Sequence, residues 1–425
     1  MNKKQYNWQR ANNYLLAGIR ALDLTDETGD FCGRMLADLG VDVIKIEKPC
    51  GSSARKLGPY YGDSPDLEKS LFWFAYNAGK RGITLDIETQ DGKALMQRLV
   101  CKADFVVESF PPGFMQKLGL GYAALKKRNP RLIMTSITPF GQKGPYSKFK
   151  AEDLVSLGMG GQLYLCGDPD RPPVQIGFPQ SYTLAGAQAA MGTLIAFYCR
   201  EKTGIGQHVD VSIQESVQQT LLNAPQFWET RGVILRREGP FRTGLTVQSA
   251  HRQVWACKDG HVVFAIYGGK LGANTNRQIV KWMDQEGLAP ALLKDMDWDN
   301  FDMAKLDTAR IEEIQKPIEQ FFMQHTKEEL FEMSVKGRII LDPVASMKEV
   351  AESEQLKARG FWEKVEHPEL GASLMYPGTF ARFSKGRCGI RRRAPSIGEH
   401  NSEIFEGELG LSRKQVTQLR QIGVI

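Results

Sequence analysis

A chain of 425 residues has room for two or three domains with sizeable cores, and 42% hydrophobic with 24% charged residues is an ordinary composition for a globular protein. The formal net charge of +6 is mild and densest at residues 391–393, whereas a nucleic-acid surface is usually more basic and more concentrated; an anionic small ligand accounts for the excess equally well. No apolar run approaches the roughly 18–20 residues needed to span a bilayer, and the opening MNKKQYNWQR lacks the apolar core of a signal peptide, so the expectation is a cytoplasmic protein engaging neither membrane nor nucleic acid. Its cysteines, Cys32, Cys50, Cys101, Cys166, Cys199, Cys257 and Cys388, have no paired spacing, which argues against a zinc site and a disulfide framework.

In chain order, residues 18–24 (GIRALDL) read as a short buried strand, and residues 28–39 carry the helical spacing Phe31, Met35, Leu36, Leu39 before Gly40. Residues 41–47 (VDVIKIE) then form a second strand, and this βαβ unit predicts a parallel sheet with right-handed crossovers. The turn after the first strand holds Gly29 and Gly33 without G-x-G-x-x-G, so a Rossmann-like layer is expected without a nicotinamide or other dinucleotide. Beyond a Gly/Ser/Pro-rich loop at 50–65, Lys80 and Arg81 sit directly before an alternating strand; two adjacent cations there can hold phosphate, and a solvated loop with spare charge is an equal reading.

Residues 92–102 read as a helix, ADFVVESF as a strand ending at Ser109 and Phe110, PPGFMQKLGLGY as a rigid turn, 122–128 as a helix and 131–140 as a strand. Strand ends at residues 47, 86, 109 and 138 then share one edge of the sheet, where open α/β folds bind ligands. In GFPQSYTLAGAQAAMG, residues 177–192, a polar turn bracketed by Pro173 and Pro179 leads into an Ala- and Met-rich helix with small residues at Gly186, Ala190 and Gly192. Gln180, Ser181 and Tyr182 therefore lie at a helix mouth, whose free N–H groups and partial positive charge suit a carboxylate or an oxyanion. An acidic nucleophile would fit that position, and the chain has a tyrosine.

His208, on the strand of TGIGQHVDVSI, reads as a structural histidine, and residues 214–250 as a crossover between domains. VWACKDGHVVFAIYGGK is a hairpin turning at Lys258-Asp259-Gly260; the Gly268-Gly269 pair after it suits a lid and a plain turn equally. Amphipathic helices run to about residue 336, and another closes the chain.

The strings LADLGVDVIKIEKP, NAGKRGITLDI, ADFVVESFPPGFMQKLGLGY, NPRLIMTSITPFGQKGPY, REKTGIGQHVDVSIQES and APSIGEHNSEIF resemble those of the family III CoA-transferases, a group that includes acyl-CoA racemases, and the resemblance extends over nearly the whole chain. It implies an α/β protein. A large Rossmann-like domain would be made from both chain ends (1–225 and 346–425), with a linker and smaller α+β domain at 226–345 and two subunits threaded through one another as linked rings. It also implies a coenzyme A thioester as substrate and no metal. Lys48 and Lys117 match the phosphate positions, Leu85, Ser109 and Phe110 those flanking adenine and pantetheine, and Arg81 joins them as a basic candidate. The family often has Arg and Asn where this chain has Lys48 and Ser109; lysine keeps the charge and loses the bidentate fork.

The family's nucleophile is the aspartate of G-x₄-D-x₃-G, at the position of Tyr182. A carboxylate attacks the thioester to give a mixed anhydride, and CoA thiolate then converts the enzyme's half into an enzyme thioester. A tyrosine has no acyl carbon to carry CoA, and with a pKa near 10 only about one phenol in a thousand is ionised at pH 7. Glu152 and Asp153 are the nearest acidic pair; related racemases place a histidine and an aspartate there, so with Glu152 in the histidine's place their two-base proton transfer is not assembled. Three readings stand. The first is one half of a heteromeric transferase working with an aspartate-bearing paralogue, with succinyl-CoA as donor and benzylsuccinate as acceptor. The second is a homomeric transferase recruiting Glu152 or Asp153, and the third a non-enzymatic CoA-thioester binder. Phe140, Phe178 and Tyr182 would suit an aromatic acid, and equally a core.

Overall fold

Six strands pair in parallel in the order β3-β2-β1-β4-β5-β6: β1 is Arg20–Leu24, β2 Asp42–Glu47, β3 Arg81–Thr84, β4 Phe105–Glu108, β5 Ile133–Thr138 and β6 His208–Ser212. The computed structural model describes residues 13–243 and 250–425, so residues 244–249 of the anticipated crossover lie outside the described residues. Helices cover both faces of the sheet, and its strands are accordingly apolar on both sides. Leu22, Ile44, Ile83, Val106 and Met134 face one core with α2 (Gln90–Val100). Ala21, Val43, Phe105 and Ile133 face the other, against α1 (Asp30–Asp38) and α4 (Gln180–Thr203). The C-terminal residues join the first core: Ile404, Phe405, Val424 and Ile425 are buried there, and the Asp86 N–H bonds Val424 O at 2.7 Å. This is the α/β fold that the spacing of strands and helices predicts.

The chain divides into two units. One is built from the described part of Met1–Gly161 with Ile176–Thr220 and Gln355–Ile425, the other from Gln162–Gln175 and Leu221–Glu354. The second unit has a three-stranded antiparallel sheet in which Gly260–Phe264 lies between Val254–Cys257 and Leu341–Pro343, and the hairpin turns where the sequence places it. Helices Gly269–Gln285, Thr308–Phe322 and Lys327–Gly337 supply a core with Trp255, Phe264, Met283 and Phe322. The Gly268-Gly269 pair opens the first of these helices, and a Cβ on Gly268 would meet Phe301 O at 2.4 Å; close packing accounts for that glycine.

Beneath the C-terminal end of β1 lies a charge cluster with no solvent exposure. Lys45 Nζ reaches Asp30 Oδ1 and Thr25 O at 2.5 Å and Asp23 Oδ1 at 3.3 Å. Lys80 Nζ reaches Asp23 Oδ2 at 2.7 Å, Asn77 Oδ1 at 2.8 Å and Asp30 O at 2.9 Å. Gly33 leaves room for it, since a Cβ there would stand 2.1 Å from Asp23 Oδ2. Lys80, a phosphate candidate in sequence, is thus saturated in the core.

Burial opposes ionisation of Asp23, but Lys45 and Lys80 overcome it and hold the carboxyl well below the usual carboxylate range. A carboxyl depressed in this way contributes stability that is fully present above the unfolded value of about 4 and is lost as pH falls toward the folded value. Asp23→Asn is therefore expected to lower the unfolding free energy by about 3–5 kcal/mol at pH 7, because it leaves two lysines undercompensated. In urea titrations that gap should shrink by about 1 kcal/mol at pH 3; an equal gap at both pH values would refute the assignment.

Candidate functional site

A cavity of about 290 Å³ opens at the C-terminal ends of β1 to β4. It sits at the point where strand order reverses, between β1 and β4, which is where doubly wound sheets leave a crevice. Lys48, Leu85, Ser109 and Phe110 all line it, so three separate stretches of the chain converge on one cavity. Each is held by its neighbours. Ser109 Oγ donates to Asp26 Oδ1 at 2.9 Å and accepts from the Asp26 N–H at 2.9 Å, which ties the β4 end to the β1 loop. Phe110 stacks on Phe114 at 4.6 Å between centroids, and its N–H bonds Glu108 Oε2 at 2.8 Å; burial pushes the Glu108 carboxyl up to about 7. The loop at Gly51–Ser53 is anchored through Glu47, whose Oε2 accepts from the Ser52 N–H at 2.9 Å and Arg55 Nε at 2.7 Å.

Lys48 is exposed and pairs with Glu88, Nζ to Oε1 at 2.6 Å; that hydrogen bond raises its pKa. Lys117 ends the short helix Phe114–Lys117 whose first ring lines the cavity, but its own side chain is exposed and off the wall. Arg81 is not brought to this place. It begins β3 at the opposite edge of the sheet, 2% exposed, with its guanidinium engaged by Asp42 at 2.5 Å and by Glu403 and Glu408 at 2.7 Å. All three guanidinium nitrogens donate to carboxylates inside the protein, and those partners lie 39 to 327 residues away in sequence.

Tyr182 occupies the first turn of α4. The glycine after it in the motif, Gly186, marks a close helix crossing: a Cβ would stand 2.8 Å from Phe31 Cβ and 3.1 Å from Cys32 N, on α1. Burial raises the Tyr182 phenol to about 12, with the charges of Asp153, Glu27 and Asp26 pushing the same way and the Asp153 backbone N–H opposing. The phenol is therefore neutral throughout the physiological range.

Asp153 is buried at the start of α3 (Asp153–Met159), where its Oδ1 accepts from the Ser181 N–H at 2.8 Å and Ser181 Oγ at 2.7 Å. It thus satisfies a free amide at the N-terminus of α4. Glu152 precedes it, exposed, with no capping bond from its side chain. Phe178 is 51% exposed and Phe140 meets Tyr146 edge-on at 6.0 Å.

The residues that sequence reasoning missed are on the β1 loop. Besides Asp26, Glu27 accepts from Ser53 Oγ at 2.5 Å, and burial raises its carboxyl. The triplet Asp26-Glu27-Thr28 directly after a first strand was the available signal. Among the described residues no group of three or more His, Cys, Asp or Glu is arranged to hold a metal ion, and no helix is long and apolar enough to cross a membrane.

Comparison with known proteins agrees with this geometry. Residues 16–401 match the model of CoA-transferase family III. Over 96% of its length the chain is 34% identical to the BbsE subunit of succinyl-CoA:(R)-benzylsuccinate CoA-transferase from Thauera aromatica, covering 97% of that protein. It is 32% identical to a formyl-CoA:oxalate CoA-transferase from Streptomyces avermitilis, with 96% and 99% of the two chains covered. A CAIB/BAIF family protein from Brucella suis has a similar crystal structure, with TM-score 0.79 and 29% identity over 92% of this chain and 98% of that one. With a parallel sheet, a cavity at its switch point and a family match running almost from end to end, the chain belongs to CoA-transferase family III.

Proposed function

We propose that this chain is one subunit of a heteromeric CoA-transferase that moves CoA from succinyl-CoA to a carboxylic acid, with benzylsuccinate as acceptor, and that an aspartate-bearing paralogue supplies the nucleophile. The observation that carries the reading is the neutral phenol of Tyr182 at the position the family gives its nucleophile, close enough to Asp26 of the cavity wall to feel its charge. The relative BbsE, itself a subunit of such an enzyme, supports donor, acceptor and heteromeric state. In the reaction the partner's carboxylate attacks the thioester carbonyl and expels CoA thiolate. The thiolate attacks the carboxylate's own carbon in the resulting anhydride and releases succinate, and the acceptor's carboxylate then repeats both steps in reverse. This chain would bind rather than react: Lys48 and Lys117 toward phosphate, with Leu85, Ser109 and Phe110 against the adenine and pantetheine.

A partner would also cover exposed apolar surface. On the outer face of α4, Met191, Ile195 and Tyr198 are 56–61% exposed and, with Phe380, Met35 and Leu39, line an apolar groove of about 410 Å³. The paralogue, threaded with this chain as interlocked rings, is its proposed occupant. We place the complex in the cytoplasm, where its free cysteines stay reduced.

A second reading is favoured by Glu27. Both carboxylates bear on the Tyr182 phenol, Asp153 the more strongly, but Asp153 is buried and takes two hydrogen bonds from Ser181, whereas Glu27 is held by Ser53 at the surface, which makes Glu27 the more easily freed substitute if the chain acts alone. Transfer from succinyl-CoA to benzylsuccinate is expected only when the chain is co-expressed with its aspartate-bearing paralogue. Activity of the chain alone, lost in Glu27→Gln, would overturn the heteromer; CoA binding without transfer in either form would leave a binding protein. Asp153→Ala is expected to cost about 1–3 kcal/mol of stability, and Glu152→Ala less than about 0.5 kcal/mol, in thermal or urea unfolding. A stable Asp153→Ala protein without activity would return Asp153 to the chemistry.

A further inference from the structure

We infer that Glu88 is a built-in competitor for the anionic end of the ligand, an affinity-setting residue that holds Lys48 when the cavity is empty and weakens CoA binding when it is full. The inference rests on the reading of the cavity as a CoA site.

The charges on the cavity wall carry the argument. They are Asp26, Glu47, Glu88 and a single cation, Lys48. Two of the carboxylates have other partners. Asp26 Oδ1 accepts from Thr28 and Ser109, and Glu47 binds the buried Arg55 through both oxygens, at 2.7 and 2.9 Å. The Glu88 carboxylate is 2.6 Å from the Lys48 ammonium, so it occupies the same donor that a phosphate would need.

Both side chains are largely in solvent, 58% and 46% exposed, so the pair can part without unpacking a core. The backbone around Glu88 is fixed independently: its N–H bonds Asp86 Oδ1 at 2.9 Å, and Thr89 Oγ1 caps α2 at the Gly92 N–H, 3.0 Å away. When a phosphate takes the lysine, the Glu88 carboxylate therefore stays within a few ångströms of it and repels it, at a distance where screening by salt is incomplete. A transferase must release a CoA ester each turnover, and such a competitor keeps release fast.

The test is calorimetric titration of CoA into the full chain and its Glu88→Gln, Lys48→Met and double variants, at about 50 mM and about 300 mM salt. Glu88→Gln keeps the size and the hydrogen-bonding capacity and removes the charge. It is expected to tighten CoA binding about two- to tenfold at low salt, with a smaller gain at high salt. Lys48→Met is expected to weaken binding about tenfold, and in that background Glu88→Gln should gain less than about twofold. Weaker or unchanged binding in Glu88→Gln overturns the inference while leaving the CoA site standing. No CoA binding by any variant, each shown folded by its melting curve, overturns the CoA site and the competitor together.

Discussion

The buried quartet of Asp23, Asp30, Lys45 and Lys80 is the constraint on which the site depends. It joins β1, β2, the start of α1 and the residue before β3 in one solvent-free cluster, and it does so directly beneath the loop that lines the cavity. Lys45 also binds Thr25 O and Oγ1, so the first residue of that loop is fixed from below. Asp26, Glu27 and Thr28 then project from a pinned base, and Asp26 in turn locks Ser109. Such a cluster is a poor source of net stability compared with a hydrophobic core of the same volume, because removing four charges from water is costly. Its value is positional: each ammonium has fixed partners, so β1, β2, α1 and the start of β3 keep one register.

The helix mouth at Tyr182 is held by groups other than residue 182. Asp153 still satisfies the amide of Ser181, and Gly186 still lets α4 approach α1 to contact distance. None of these features needs an aspartate at position 182. A phenol fits the half-buried space and packs against the core, and burial keeps it neutral. On the proposed reading, a tyrosine there leaves the covalent chemistry to a partner while this chain keeps its fold and its binding surface.

Much of this was legible in sequence because it is local. The spacings of apolar residues locate the strands of the parallel sheet and α4 and put their ends along one edge, and the family resemblance adds Lys48, Leu85, Ser109 and Phe110, which the structure brings to one cavity there. What was not legible is pairing at a distance. Lys80 and Arg81 look like a phosphate pair because their partners Asp23, Glu403 and Glu408 lie 57 to 327 residues away, and no window contains both halves of the interaction. The Gly268-Gly269 pair misleads for the same reason: the atom that excludes a side chain is Phe301 O. Asp26 and Glu27 carry no signal of the dinucleotide kind, because the signature of such a turn is its glycines and not its carboxylates.

That acidic turn bears on how a polyanion could be held here. On the proposed reading, with Lys48 paired to Glu88 and Asp26 and Glu47 also on the cavity wall, charge alone is a weak source of affinity for a CoA ester. The remaining contributions are apolar and aromatic. Leu85 is buried at one wall, and the stacked Phe110 and Phe114 offer a face against which an adenine or the pantetheine chain can lie. On the proposed reading, the base and the pantetheine arm would position the ligand while its phosphates stay at the solvent edge near Lys48 and Lys117. The thioester would then be placed by packing, a short-range and salt-insensitive force, and the charged end would remain loose enough for exchange at every turnover.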